Sequence, residues 1–248
     1  MLLRYCFHLK NTESIFHENI AYPMYAALLE QIPEESADSI HGAQCAPISQ
    51  YLYNNYWYVC ISGNQNVEKI APVLDKMTGI YLRCKNMTIE MECIKRQKVT
   101  TEMLLQTAVP SHLILSLRTP TAFKSGGCYQ ILPEQRFILQ SMINKWNCCF
   151  NECPIEDTED SAGLNAMAAG LVYKKINIHS YDFKLKGIEI PGTIGTLTIE
   201  NRLEGFHRIL ANALLQFADY AGIGIKTALG MGGAAVLTAD ISIKTERH

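Results

Sequence analysis

Hydrophobic and polar positions alternate from the first residues of the chain. Leu3, Tyr5, Phe7 and Leu9 share one face and Arg4, His8 and Lys10 the other, which predicts a half-buried strand. The period turns helical around Tyr22 to Gln31, where Pro23 suits a first helical turn. A β-rich stretch runs from Tyr51 to Ile61, with a hairpin turn expected at Asn54-Asn55. Asn66 is expected to cap a second helix, whose apolar positions Val67, Ile70, Val73, Leu74 and Met77 fall at helical spacing. Ile80 to Val99 returns to strand. The order is close to βαββαβ, with one strand poorly delimited.

After a connector near Thr101 to Pro110 the pattern restarts. Leu113, Leu115 and Leu117 alternate as a strand, and Pro133 opens a helix with Leu139, Met142, Ile143, Trp146 and Phe150 on one face. Tyr173 to Lys186 and Thr193 to Glu200 read as strands. Leu203, Phe206, Leu210, Leu214 and Phe217 form the stripe of another helix. A last strand places Ala235, Leu237, Ala239, Ile241 and Ile243 on one face. The expectation is an α+β chain of two tandem ferredoxin-like domains, residues 1–106 and 107–248. RNA-recognition domains, acylphosphatases and small-molecule regulatory domains share that topology, so it does not assign a function.

Between the last helix and the last strand lies Gly222 to Gly232, GIGIKTALGMG. Two Gly-apolar-Gly pairs flank a stretch holding one cation, Lys226, and one hydroxyl, Thr227. Glycine lets the backbone take φ > 0 and approach a ligand closely. Exposed N–H groups in such a loop can cradle phosphate oxygens, with Lys226 as a point charge. A Walker loop is excluded, because Lys226 follows Ile225 and not glycine. A dinucleotide fingerprint should follow a strand and open a helix, the reverse of the order here. No nucleotide cofactor is expected. A plain helix-to-strand connection without a ligand is the competing reading.

Composition narrows the field without choosing. The 248 residues are 48% hydrophobic and 19% charged, an ordinary well-cored protein. No apolar run approaches a membrane span of about 20 residues. Nine cysteines and an N-terminus that carries Arg4 and Lys10 in place of a signal peptide's apolar core point to reduced thiols in the cytoplasm. Cys148, Cys149 and Cys153 cluster without the paired spacing of a zinc site, so no metal is expected. The net charge of −2 argues mildly against nucleic acid. Glu152, Glu156, Asp157, Glu159 and Asp160 account for more than all of it, which leaves the rest of the chain net positive. Basic clusters occur at Lys95, Arg96 and Lys98, at Lys174-Lys175, and at Lys184 and Lys186.

A tandem ferredoxin-like chain whose last helix runs into GhGxxxxxGhG resembles the CRISPR-associated endoribonucleases that process repeat RNA, in the superfamily of repeat-associated mysterious proteins. Gly222, Gly224, Gly230 and Gly232 match the four glycines of that motif. Leu117 to Asn147, with Thr119-Pro120 and then a Pro-led helix, is similar to a second family stretch. The resemblance spans the chain, strongly in the second half and loosely in the first.

The resemblance implies metal-independent cleavage of CRISPR repeat RNA by its own 2′-OH, which leaves a 2′,3′-cyclic phosphate. Two protons must move, a task suited to histidine. In the family that histidine follows the first helix, the place held here by His41 in SADSIHGAQCAPISQYLY. The resemblance also implies a catalytic tyrosine on the first helix beside it, Tyr25 first and Tyr22 second, whose hydroxyl would orient the 2′-OH or assist proton transfer; a helix tyrosine that only packs is the competing reading. Lys226 and Thr227, with the loop glycines, would contact the RNA backbone. Some members carry a lysine after the histidine, yet Gly42 to Asn55 has no Lys or Arg. The cation would then come from Lys98, Lys226 or Lys174-Lys175. The departure keeps a second reading open, a non-catalytic relative that holds guide RNA among effector subunits. A small-molecule domain is a third, and a homodimer is left open.

Overall fold

The computed structural model describes residues 1–10, 17–33, 40 and 46–238. Strand β1 (Leu2–Leu9) is followed by helix α1 (His17–Leu29), strands β2 (Ile48–Tyr53) and β3 (Tyr56–Ser62), helix α2 (Asn64–Asp75), and strands β4 (Gly79–Leu82) and β5 (Met87–Val99). All pairings are antiparallel, in the order β2-β3-β1-β5-β4. This is a ferredoxin-like sheet with one added edge strand. The turn between β2 and β3 is Asn54-Asn55, with φ of 47° and 60°, a left-handed pair that asparagine tolerates.

The predicted strand Ile80 to Val99 is two strands. A 3-10 turn, Arg83–Lys85, and a left-handed Asn86 (φ 48°) fold β4 back on β5, with Leu82 opposite Met87. Pro23 lies inside α1 and not in its first turn, because the helix begins earlier, at His17. Asn66 is the third residue of α2 and not its cap; its side chain donates back to the Ser62 carbonyl at 2.9 Å.

Helix α3 (Thr101–Leu105) fills part of the predicted connector, capped by Thr100, whose hydroxyl accepts from the Met103 N–H. The second unit comprises β6 (His112–Thr121), the small hairpin β7 (Phe123–Ser125) and β8 (Cys128–Gln130), α4 (Gln135–Cys149), α5 (Ala162–Gly170), β9 (Leu171–Leu185), β10 (Ile188–Asn201), α6 (Gly205–Ala221) and β11 (Ala234–Thr238). Its sheet order, β11-β6-β10-β9, is that of a ferredoxin-like fold.

Alternation along β1 sends Leu3, Tyr5, Phe7 and Leu9 into the first unit's core. The opposite face is not left to solvent. Leu2 joins Cys60, Val99 and Leu104 in the core of the second unit, so the two units share buried surface. Arg4 meets Asp219 of α6 at 2.6 Å. Two expected faces shift. Phe206 is 65% exposed, since it lies in the first turn of α6 and the buried run begins at Leu210. On β11, Ala234 and Val236 pack toward the core, while Leu237 fronts a cleft between the two units.

Candidate nucleic-acid interface

The glycine segment turns a helix end into a strand start while touching both units. Gly222, at φ 66°, ends α6, and its N–H still bonds the Ala218 carbonyl. The N–H of Ile223 donates to the Gly232 carbonyl at 2.8 Å, closing the loop on itself. A Cβ on Gly232 would stand 1.9 Å from the Ile223 carbonyl oxygen, and one on Gly224 2.1 Å from that of Ala122. Only glycine fits either place. The apolar residue inside each pair is buried, Ile223 in the second core and Met231 in a small cluster with Phe183, Leu185 and Ile190.

The two sequence motifs meet here. Gly232 N–H donates to the Pro120 carbonyl at 2.9 Å, Gly233 N–H to the Thr119 hydroxyl at 2.8 Å, and Ile225 N–H to the Ala122 carbonyl at 3.0 Å. The Pro-led helix holds the other side. Ser141 of α4 accepts from the Gly224 N–H at 2.8 Å, and Lys145, one turn on, donates to the carbonyls of Ala221 and Gly222 and to the Thr227 hydroxyl, each at 3.0 Å. The N–H groups expected to cradle phosphate are thus largely spent inside the molecule. What the loop presents is Lys226, left-handed at φ 54° and half-buried, before a 3-10 turn of Thr227–Leu229. Among the described residues no carboxylate pairs with Lys226.

Helix α1 closes against this loop. A Cβ on Gly230 would lie 2.4 Å from that of Ala21. Buried Gln50 of β2 donates to the carbonyls of Ala21 and Ala228, each at 3.0 Å, and accepts from Trp57 Nε1 at 2.8 Å. On the outer side of α1 a cleft of about 470 Å³ opens toward the tip of the β9–β10 hairpin. Tyr22, Arg83, Lys184 and Lys186 line it, together with one acid, Glu30, held by Arg83 at 3.2 Å. Lys186 Nζ stands 4.3 Å from the centre of the Tyr22 ring, a cation–π contact. Lys186 and Gly187, both at positive φ, form the hairpin's two-residue turn.

The expected site residues fall in different settings. The four loop glycines, Lys226 and Thr227 come together beside α1. Tyr25 is buried in the first core, and burial raises its phenol pKa. Tyr22, not Tyr25, is the tyrosine on the basic cleft. His41 lies outside the described residues; Ile40 before it is buried in the same core as Tyr25. Among the described residues no cluster of His, Cys, Asp and Glu could hold a metal ion. No described helix is long and apolar enough to cross a membrane.

A second cleft, of about 260 Å³, separates the non-helical faces of the two sheets and is lined by Arg4, Tyr58, Lys95, Arg118 and Leu237. Burial works against the Arg4 charge, but the Asp219 carboxylate together with Tyr51 and Cys60 raises the guanidinium's pKa. Arg4 and Arg118 both donate to the Tyr51 hydroxyl, at 3.3 and 3.2 Å, and burial pushes that phenol up to about 12. Arg118 also stands over the rings of Tyr53 and Tyr58. Gln50, Lys145 and this arginine–tyrosine network escape a reading by motif. Lys184 and Lys186 are visible as a basic cluster, and Lys186-Gly187 between β-rich runs is a hairpin signal that could have placed them.

The chain is similar to known proteins in sequence and in fold. The model of the family "CRISPR-associated endoribonuclease Cas6" matches residues 115–234. A protein of that name from Streptococcus thermophilus is 26% identical over 87% of this chain and 90% of its own length. One from Mycobacterium tuberculosis is 25% identical over 86% of this chain and 70% of its own. Among solved structures, a Cas6 product complex superposes with a TM-score of 0.78 at 18% identity, over 96% of this chain and 100% of that one. Thermus thermophilus Cas6 gives 0.71 at 19% identity, over 95% and 97%. A family match across the glycine loop and the helix that holds it, relatives along most of the chain, and the same fold end to end make this chain similar to the CRISPR-associated endoribonuclease Cas6 family.

Proposed function

We propose that this protein is an endoribonuclease that cuts CRISPR repeat RNA at the junction of α1, the glycine loop and the β9–β10 hairpin. The carrying observation is that junction itself. The two motifs of the second unit are bonded to each other and packed on α1, the helix that precedes the His41 segment, with the basic cleft opening alongside. Cleavage proceeds by attack of the substrate's own 2′-OH and leaves a 2′,3′-cyclic phosphate, a route that needs two proton transfers and charge stabilisation but no metal. His41 moves one of those protons. Lys226 supplies the cation that Gly42 to Asn55 lacks, stabilising the phosphorane and gripping the backbone. Thr227, fixed by Lys145, holds an adjacent phosphate.

Tyr22 with Lys186 receives the RNA backbone or a stacked base. Sequence preference comes from RNA shape and from unpaired bases, for which Arg118 over Tyr53 and Tyr58 provides a stacking surface. The test is cleavage of the cognate repeat RNA in excess EDTA by wild type and His41→Ala. One cut that leaves a cyclic phosphate, lost in the variant while affinity stays within about threefold, is the expected result, because a proton-transfer group and not a phosphate clamp is removed. Tight binding without a cut by the wild type would make the protein an RNA-holding relative.

A further inference from the structure

We infer that Gln50 is a positioning residue for cleavage, its buried amide setting the distance between α1 and the glycine loop; this rests on the endoribonuclease reading. Gln50 is 2% exposed in the middle of β2. A buried amide is costly unless its groups are bonded. Here they are, and the partners fix which end is which. Trp57 Nε1 can only donate, so it faces Oε1, and the carbonyls of Ala21 and Ala228 can only accept, so both face Nε2. An apolar side chain would fill the space without tying anything.

Besides β3, which carries Trp57, the elements joined at Gln50 are those the reaction uses. Ala21 precedes Tyr22 and lies one helical turn before Tyr25. Ala228 follows Thr227 and Lys226. Gln50 itself stands in β2, and α1 and β2 bracket the segment that carries His41. A separate contact sets the same spacing from the other side, since Gly230 leaves no room for a Cβ against Ala21. The loop thus rests on α1 at van der Waals distance and is drawn to it by two hydrogen bonds from one nitrogen. Loss of that nitrogen lets the phosphate-binding loop drift from α1, and misplacement by about 1 Å can cost on the order of a hundredfold in rate.

The experiment measures single-turnover cleavage at saturating protein, and RNA affinity separately, for wild type, Gln50→Met and Gln50→Glu, each well below its unfolding temperature. Gln50→Met should lower the rate about tenfold to a hundredfold while affinity changes less than about threefold. In Gln50→Glu a carboxylate would face two carbonyl oxygens, and burial raises its pKa, so acidification restores one donor. Its rate relative to wild type at the same pH should therefore climb several-fold from about pH 8 to about pH 5.5, a readout that a merely structural role leaves flat. The inference is overturned by a wild type that cuts while Gln50→Met cuts within about twofold of it, by a rate loss matched in affinity, or by a flat Gln50→Glu ratio. If Gln50→Met does not fold, the Gln50→Glu ratio decides alone. A wild type that binds RNA and never cuts defeats the nuclease reading, and the positioning role with it.

Discussion

Two glycine-bearing basic segments border the proposed site, and they are built on opposite terms. In Gly222 to Gly232 each glycine is pressed against backbone or a side chain, and most of the N–H groups bond inside the molecule. At the β9–β10 tip, Gly187 has nothing within 4 Å of where a Cβ would stand, and Lys186 reaches out over Tyr22. Both contain a lysine beside residues at positive φ, yet one is a joint and the other a surface. The glycines that advertise a phosphate loop mainly let it fold against its own unit, and Gly230 lets it close on α1. The lesson is that a motif can mark where a site is assembled without supplying most of its contacts.

The sharpest way to break that contrast is to add one methyl group to each segment. Gly232→Ala puts a Cβ 1.9 Å from a carbonyl oxygen on a fixed loop. It should cost on the order of 3 kcal/mol or more in chemical denaturation, because backbone must move and a left-handed φ is strained as well. Gly187→Ala meets only the strain, about 1–2 kcal/mol, and should leave the loop's role untouched. Equal losses at the two positions would mean that the loop is no more a joint than the hairpin tip.

How much of this was legible beforehand follows from how far apart the interacting residues are. The duplicated topology, the Asn54-Asn55 hairpin and most helix faces are written in local periodicity and turn chemistry, and they agree with the structure. Thr119-Pro120 and the glycine loop were visible as motifs, but not their mutual hydrogen bonds. The break at Asn86 leaves no local signature, because a strand-rich stretch hides a left-handed residue that asparagine adopts without a distinctive neighbour. Gln50 carries no local signal at all; its carbonyl partners lie 29 and 178 residues away. The basic cleft needs α1, the Arg83 turn and the β9–β10 tip together, three places with no common pattern. Periodicity reports which face is buried, and says nothing of what it is buried against.

A second prediction removes the brace and not the joint. Lys145→Met keeps the length of the side chain but deletes bonds to two carbonyls at the end of α6 and to the Thr227 hydroxyl. Unpaired, partly buried acceptors should cost about 2 kcal/mol in denaturation. Because Thr227 is released, RNA affinity should also fall, whereas the conservative Lys145→Arg should recover part of both. Lost stability with unchanged affinity would separate the brace from the RNA surface and confine Lys145 to folding.

The smallest effect compares the two lysines directly, through salt. Each protein phosphate contact releases counterions, so removal of one should reduce the slope of log affinity against log salt by about 0.7–0.9. Lys186→Ala should do this with no change in stability, since its side chain lies on an exposed turn and contacts a tyrosine face. Lys226→Ala should show the same loss of slope and, in addition, a cleavage rate that falls further than affinity does, because it faces the developing phosphorane in the proposed reaction. A slope unchanged by Lys186→Ala would withdraw the hairpin tip from the contact list. A slope lost equally in both, with rate following affinity in both, would make Lys226 a binding residue only and return the missing cation to Lys98 or to Lys174-Lys175.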